Sequence, residues 1–278
     1  MSAVKEKIAS ALFFASALAS ILAVSLICFF LLFNGAPAIA EIGFFRFIFG
    51  TEWSPTDEPP LFGIFPMIVG SLYITAGAIV IGVPIGTLTA VFLAKICPPR
   101  PYRIVKPIVR LLAGIPSVVY GFFAMITLIP ITGASILSAS ILLGVMILPT
   151  IIEISESAIR AAPNSYYEGA LALGAGRYRA IFFALLPAAK SGVLAAATLG
   201  VGRAIGETMA VIMVAGNQAR MPGSIFDGVR TLTANVVIEM GYAADLHREA
   251  LIATGVVLFV FIMIINLSVS ALANRSVK

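Results

Sequence analysis

Residues 188–216 read AAKSGVLAAATLGVGRAIGETMAVIMVAG, an apolar run that is interrupted near its middle by one Arg and one Glu. A membrane-spanning helix needs about 20 predominantly apolar residues, so this run is long enough to cross a bilayer. A charge at that depth is costly and usually faces a protein partner or a pathway. The stretch therefore predicts a membrane protein that handles a charged species.

The composition of the whole chain indicates the same class of protein. Of its 278 residues, 60% are hydrophobic and 11% are charged, and the mean hydropathy is +1.06. Soluble domains carry about 25% charged residues, so this chain could not cover a soluble surface. The net charge of +5 fits the excess of Lys and Arg on the cytoplasmic side of membrane proteins. No aromatic-basic motif in the sequence favours nucleic-acid binding.

Six apolar spans predict an all-α membrane fold. The first follows Lys5 and Lys7 and is longer than the roughly 7–15 apolar residues of a signal peptide, so we expect a retained helix. The second contains Gly82, Pro84 and Gly86, where we expect it to tilt or kink. The spans are residues 8–33, 65–94, 108–131, 136–157, 188–216 and 250–273.

The distribution of Lys and Arg predicts the orientation of these spans. Thirteen of these residues fall on the side of the chain termini and four on the other, and Arg203 is left in the membrane. The positive-inside rule then places both termini in the cytoplasm, in a multi-pass protein of a bacterial or archaeal cell membrane. Two long loops, residues 35–60 and 217–248, lie outside, as inert connectors or as a surface for an external partner. We divide the chain into residues 1–60, the first helix and its loop, and a core domain, residues 61–278.

The residues that enzymes and metal sites need are scarce in this sequence. Cys28 and Cys97 fall in different predicted environments, and His247 is the single histidine. We therefore expect no disulfide, no His/Cys metal site and no catalytic residues. The sequence also has no G-x4-G-K-[ST] loop, so we expect the chain itself to bind no ATP and no other cofactor.

A predicted cytoplasmic loop, residues 160–187, carries Tyr and Arg side chains among small residues. A helix near residues 167–173 is too short and too small-sided to form a core of its own. It suits insertion into a groove on another protein, and it equally suits a linker at the level of the lipid headgroups. The spacing leaves both possibilities open.

Arg203 and Glu207 are four residues apart, so on one continuous helix they would share a face. Arg203 lies 13 residues beyond Lys190, or about 20 Å at 1.5 Å per residue, deep in a membrane core about 30 Å thick. The two side chains either form a salt bridge that fixes helix packing or line an anion pathway. A guanidinium matches a tetrahedral oxyanion or a carboxylate. Our hypothesis is that Arg203 exchanges Glu207 for the anion in transit, and that Thr208 offers a neutral hydrogen bond.

Pro116 is expected to break or kink the third span, because it lacks a backbone N–H and clashes with the preceding turn. Ser117 and Tyr120 would then be free to line the pathway. Hydrogen bonds from these two side chains to neighbouring helices are the alternative interpretation.

The cytoplasmic loop resembles the EAA loop of ABC importer permeases, which is written E-A-A-x3-G-x9-I-x-L-P. Glu168, Gly174 and Leu186-Pro187 keep its spacing, while Gly169 stands for the second residue and Ala184 for the Ile. This resemblance implies a coupling helix that sits in a cleft of an ATP-binding subunit. It also implies that the coupling residues are Glu168, Ala170, Gly174 and Arg177, with Gly174 permitting a backbone turn.

Two further blocks narrow the resemblance. The runs LAGIPSVVYGF at residues 112–122 and LGVGRAIGETMAVIMVAGN at residues 199–217 closely resemble the C-type subunit of phosphate-specific transport (Pst) permeases. That resemblance implies ATP-driven uptake of inorganic phosphate in complex with a related A-type permease, two ATP-binding subunits and an external phosphate-binding protein. An importer of another oxyanion, such as molybdate or sulfate, is the nearest alternative. The EAA-like loop speaks against a passive channel.

Overall fold

Long apolar runs fold as helices because, in a bilayer, only helices and closed barrels satisfy every backbone N–H and C=O group. The computed structural model describes residues 2–275. Two π-helical turns, Phe92–Ile96 and Ile181–Leu185, connect helices. A short antiparallel hairpin joins β1 (Trp53–Ser54) to β2 (Leu61–Phe62). The α-helices are α1 (Ser2–Ile42), α2 (Phe44–Phe49), α3 (Phe65–Val91), α4 (Pro99–Gly114), α5 (Ser117–Thr127), α6 (Ile129–Thr132), α7 (Ile136–Ala161), α8 (Asn164–Ala172), α9 (Arg177–Ala180), α10 (Leu186–Ala188), α11 (Lys190–Gly206), α12 (Met209–Val214), α13 (Leu232–Glu239) and α14 (Asp245–Arg275).

Four of the described helices are long and apolar enough to cross a membrane unbroken, and two further crossings are bent. The unbroken ones are Lys5–Ile42, Phe65–Ile96, Ile136–Ala161 and Asp245–Ser268. The bent pairs are α4 with α5, at 98°, and Arg177–Ala188 with α11, at 72°. The predicted number of six spans is reached when each bent pair counts as one. The predicted bounds of the fifth, residues 188–216, are wrong, because the second bent pair covers residues 177–206.

The third predicted span, residues 108–131, is wrong as a single helix. Its first part belongs to α4, which meets α5 nearly at a right angle beside Pro116, so the predicted break is confirmed. One face of α4 exposes Ile104, Ile108 and Leu111, whereas other positions carry basic side chains that reach α7. This division is typical of a helix that lies along a membrane surface rather than across it.

The glycines of α3 serve helix packing. The helix continues through Pro84 without interruption and runs along α7. A Cβ atom at Gly82 would lie 2.6 Å from the side chain of Ile147, and one at Gly86 would lie 2.7 Å from that of Ile151. Such small residues let two helices approach closely in a membrane.

The segments that were predicted as long outer loops contain short helices and a hairpin. Helix α1 extends to Ile42, beyond the predicted residue 33, and the chain then folds into a unit that we call the cap, residues 43–64 and 217–244. Phe47, Trp53 and Phe62 of the cap are buried against Leu232 and Leu251. The cap lies at the first end of α7, where the backbone N–H of Ile136 donates to the carbonyl of Asp227 at 3.0 Å. The connecting loop, residues 162–189, follows the other end of α7 at Ala161.

Candidate functional site

Helix α11 ends at Gly206, and this end decides the geometry around the two predicted pathway charges. Glu207 has an extended backbone (φ −72°, ψ 127°), and a new helix, α12, begins after Thr208. Arg203 and Glu207 therefore do not share a helix face, and that prediction is wrong. Gly206 weakens the helix, and Thr208 is a residue type that favours the position before a helix start.

Glu207 forms hydrogen bonds with α12 and α13. Its Oε1 accepts a hydrogen bond from the backbone N–H of Ala210 at 3.4 Å, in the first turn of α12. Its backbone carbonyl accepts one from the hydroxyl of Thr233 at 3.4 Å. Thr208 donates to the carbonyl of Gly206 at 3.3 Å. Both side chains are half-buried beside the interruption between α11 and α12.

Arg203 is exposed in the isolated chain and points to α7. Its Nη1 donates a long hydrogen bond, 3.4 Å, to the hydroxyl of Thr150. Within the described part of the chain, no carboxylate lies within ion-pair distance of its guanidinium. Most of its donors are therefore available to a group from outside the chain. Sequence reasoning missed Thr150, because a single hydroxyl in an apolar helix gives no signal.

Tyr120 and Ser117 lie at the second interruption, between α4 and α5. The hydroxyl of Tyr120 donates to the carbonyl of Leu112 at 2.8 Å, so it holds the end of α4 against α5. The ring of Tyr120 packs against the core cluster that contains Ala204, the residue after Arg203. Ser117 is the half-buried first residue of α5.

The helices that follow the two breaks, α5 after Pro116 and α12 after Thr208, pack against each other. Helix α5 lies against α12, and a Cβ atom at Gly121 would lie 2.8 Å from the sulfur of Met213. Non-helical backbone at membrane depth is tolerated where it is buried in protein or lines a cavity, and transporters place such interruptions at their binding sites. Arg203 lies one turn before the break between α11 and α12, which is a place of this kind and suits a polar ligand.

The connecting loop presents an open surface around α8. Glu168 lies exposed on α8, Ala170 is half-buried, and Leu173 just after the helix is 91% exposed. Gly174 has φ +85°, so the predicted backbone turn is confirmed. A side chain at that φ would be strained, whereas glycine adopts it readily.

Anchors at the end of α3 hold this loop in place. Lys95 donates to the side-chain carbonyl of Asn164 at 2.6 Å and lies 5.5 Å from the ring centre of Tyr167. Arg177 donates through Nη2 to the carbonyl of Lys95 at 2.8 Å. The structure therefore gives Arg177 a partner within the chain. Sequence reasoning missed Lys95, which it counted only as a topology signal.

A buried cluster of polar side chains in the cap was also missed. The carboxylate of Glu239 accepts hydrogen bonds from Trp53 Nε1 at 2.9 Å and from Arg230, and it lies 2.8 Å from Nε2 of His247. Arg230 also donates to Asn235 Oδ1 and to the carbonyl of Asn217, each at 3.0 Å. The signal available in the sequence was the set of charged residues in a segment that also holds apolar ones.

The sequence of residues 82–278 matches the model of a family described as the binding-protein-dependent transport system inner membrane component. The chain belongs to this family. It is therefore a multi-pass permease subunit of an ABC importer, a class that works in a membrane complex with an ATPase and a binding protein.

Curated relatives agree with this membership. The chain is 39% identical over 240 residues to YqgH, a probable ABC transporter permease protein of Bacillus subtilis, covering 83% of this chain and 78% of the relative. It is 32% identical over 288 residues to PstC 2, a phosphate transport system permease protein of Mycobacterium tuberculosis, covering 93% and 88%. The resemblance to Pst permeases is thereby confirmed.

Solved structures show the fold. An inward-facing conformation of the MetNI methionine ABC transporter superposes with a TM-score of 0.59 at 21% identity, over 78% of this chain and 95% of that one. A bacterial ABC transporter involved in the import of the acidic polysaccharide alginate gives a TM-score of 0.58 at 16% identity, over 77% and 79%.

Proposed function

We propose that this permease subunit takes up inorganic phosphate that an external binding protein delivers. The observation that carries the proposal is the exposed guanidinium of Arg203. It lies beside the break between α11 and α12 and has, among the described residues, one long hydrogen bond, to Thr150. The names of relatives such as PstC 2 support phosphate as the substrate.

The chemistry of the site suits a tetrahedral oxyanion. A guanidinium presents a planar fork of donors to two oxygens of such an anion, and charge-assisted bonds of this kind are about twice as strong as neutral ones. Thr150 supplies a neutral hydroxyl group at the same guanidinium. Ser117 and Tyr120, at the start of α5, are further lining residues that we propose. The carboxylate of Glu207 accepts from the backbone N–H of Ala210 in α12 and is not paired with Arg203. Phosphate therefore need not displace Glu207 from Arg203. This replaces the exchange that the sequence suggested.

The connecting loop is the proposed coupling element. Glu168, Ala170 and Gly174 would contact an ATP-binding subunit, while Arg177 and Lys95 transmit the movement to α3. We propose two such ATP-binding subunits, with ATP bound and hydrolysed there, and an A-type permease as the partner across the membrane. Alternating access then follows from movement of α8, with both termini and the connecting loop in the cytoplasm and the cap facing the binding protein.

The test is ATP-dependent uptake of radiolabelled phosphate by proteoliposomes that contain this chain, the candidate A-type permease, the ATPase and the binding protein. We expect uptake by the wild type and loss of uptake in Arg203→Ala and in Glu168→Lys. Glu168→Lys should also lose stimulation of the ATPase by the binding protein. Normal uptake by Arg203→Ala in an assembled complex would contradict the pathway assignment.

Another oxyanion is the second candidate, because the guanidinium geometry does not distinguish phosphate from sulfate or molybdate and YqgH is described only as an ABC permease. Competition of labelled phosphate uptake by unlabelled sulfate and molybdate separates the two. We expect neither to compete. If the complex took up sulfate or molybdate in place of phosphate, the assignment as an importer would stand and the assignment of phosphate as the substrate would be wrong.

A further inference from the structure

A second group of charged side chains lies between α4 and α7 and does not include Arg203. It surrounds a pocket of about 310 Å³. The pocket is lined by three cations, two carboxylates and a tyrosine hydroxyl: Lys106, Arg110, Arg160, Glu153, Glu156 and Tyr102. These side chains leave the pocket with one net positive charge.

The two carboxylates of this pocket differ in how fully they are satisfied. Glu156 is 3% exposed and accepts hydrogen bonds from Lys106, Tyr102 and Arg160 at 2.8–2.9 Å, so it is a fixed part of the fold. Glu153 is 36% exposed, and its Oε1 lies 3.2 Å from Nε of Arg110 and 3.6 Å from Lys106. The side chain of Arg110 is 69% exposed. An exposed ion pair of this kind is weak and can exchange partners.

The position of the loose pair relates it to Arg203. Thr150, which accepts from Arg203, and Glu153, which accepts from Arg110, are three residues apart on α7 and so lie on neighbouring turns of one face. The rise between them is about 4.5 Å at 1.5 Å per residue. From Thr150 to Glu153, α7 runs towards the connecting loop. The pair of Arg110 and Glu153 therefore lies on the connecting-loop side of Thr150.

From this geometry we infer that the pocket between α4 and α7 is a second oxyanion site on the transit path, at which Arg110 exchanges Glu153 for a phosphate group. The sequence suggested such an exchange for Arg203 and Glu207. The structure offers it instead for Arg110 and Glu153, about one turn of α7 beyond Thr150. Glu153 keeps the site from retaining the anion, because conduction needs sites that bind weakly enough to release. The inference rests on the proposed uptake of phosphate.

The decisive variant is Arg110→Gln in the reconstituted complex, with Arg103→Gln as the matched control. Arg103 is an exposed arginine on the same helix and lies outside the pocket. We expect Arg110→Gln to lower the maximal rate of phosphate uptake about tenfold, the loss typical of one charge-assisted hydrogen bond. The half-saturating concentration of loaded binding protein and the stimulated ATPase rate should stay at wild-type values. Equal losses in both variants would overturn the inference.

A double variant separates an anion site from a structural ion pair. Arg110→Gln combined with Glu153→Gln leaves no unpaired charge behind but still lacks the cation. If Arg110 binds the anion, the double variant stays as slow as Arg110→Gln alone. Recovery of uptake, or a parallel fall of the ATPase rate in Arg110→Gln, would show a structural role and contradict the inference.

Because α4 has the character of an interfacial helix, a lipid headgroup offers the same phosphate chemistry. Uptake is therefore compared in vesicles of zwitterionic lipid with and without anionic phospholipid. A site for the transported anion predicts the same loss by Arg110→Gln in both. A loss confined to vesicles with anionic lipid would identify a headgroup site and contradict the transit site. Wild-type uptake of a different oxyanion would contradict the proposed substrate alone, since the same variants can then be assayed with that anion.

Discussion

Arg230 in the cap and Arg203 beside the helix interruptions differ in how completely the chain satisfies them. The side chain of Arg230 is 16% exposed and donates to Asn217, Asn235 and Glu239. Arg203 is exposed and has one long bond, to Thr150. An arginine whose acceptors come from its own chain fastens the fold, whereas one without them is available to a ligand or a partner.

The surroundings of the two residues extend this contrast. Glu239, at the end of α13, bonds to Trp53, 186 residues earlier in the chain, and to His247 at the start of α14. These bonds hold the separate segments of the cap together. Arg203, by contrast, lies beside the break between α11 and α12, and most of its donors have no acceptor in the described part of the chain. Four changes can break or sharpen the contrast, and we take them from the largest expected effect to the smallest.

Removing the acceptor of Arg230 should give the largest loss of stability. Glu239→Ala leaves the guanidinium of Arg230 buried without its charged partner, and breaking a buried ion pair in this way costs about 3–5 kcal/mol. We expect a large fall in the thermal unfolding temperature of the detergent-solubilised chain. Glu249→Ala, an exposed carboxylate at the start of α14, is the control and should unfold like the wild type. Equal unfolding temperatures for both variants would remove the structural role of the cap cluster.

Arg203→Gln should affect transport and leave stability unchanged. Hydrogen bonds to charged groups contribute about 1.5–3 kcal/mol, so loss of the guanidinium should slow uptake by about 10- to 100-fold. Its unfolding temperature should match the wild type, because residues 2–275 give Arg203 only one long bond. Arg230→Gln, the paired change, should lower the unfolding temperature. If Arg203→Gln were the more destabilising of the two, the comparison would be reversed.

The connecting loop resembles the Arg203 region, because it also presents groups that the chain does not satisfy. Gly174→Ala places a side chain at φ +85°, which costs about 1–2 kcal/mol in the left-handed region. We expect reduced stimulation of the ATPase by the binding protein, since the turn after α8 is displaced.

Gly169→Ala is a matched control for that change. Gly169 lies in α8, and a Cβ atom there would meet nothing within 4 Å. Alanine favours helix over glycine by about 1 kcal/mol, so this variant should couple at least as well as the wild type. Loss of coupling in Gly169→Ala but not in Gly174→Ala would contradict the role of the turn.

Most of the fold could be predicted from the sequence, because hydropathy and charge asymmetry act over whole spans. The helix ends could not be predicted as well. Residues 108–114 are apolar enough to extend a span. In the structure they instead belong to α4, a separate helix with several basic residues that lies at 98° to α5. Glu207 was assigned to a helix that Gly206 ends, and the spacing argument failed there.

The candidate site was predicted in part. Arg203, Gly174 and the break at Pro116 stand out because charge, glycine and proline each carry a strong local signal. Thr150, Lys95 and the partners of Glu239 depend on contacts between residues far apart in the chain. Glu153 and Glu156 lay inside a predicted span and went unremarked, although two carboxylates in an apolar helix require partners.

Thr150→Val should give the smallest effect, and it tests whether Arg203 is free or held. The change removes a hydroxyl that accepts at 3.4 Å, at the long end of hydrogen-bond distances, and valine keeps the shape of the side chain. A neutral bond at the low end of about 0.5–1.5 kcal/mol predicts a fall in uptake of about twofold. Thr198→Val is the control, because that hydroxyl bonds only to Leu194 in its own helix. A fall as large as that of Arg203→Gln would mean that Thr150 holds the guanidinium in place, and Arg203 would then belong with Arg230 among the residues that the chain itself satisfies.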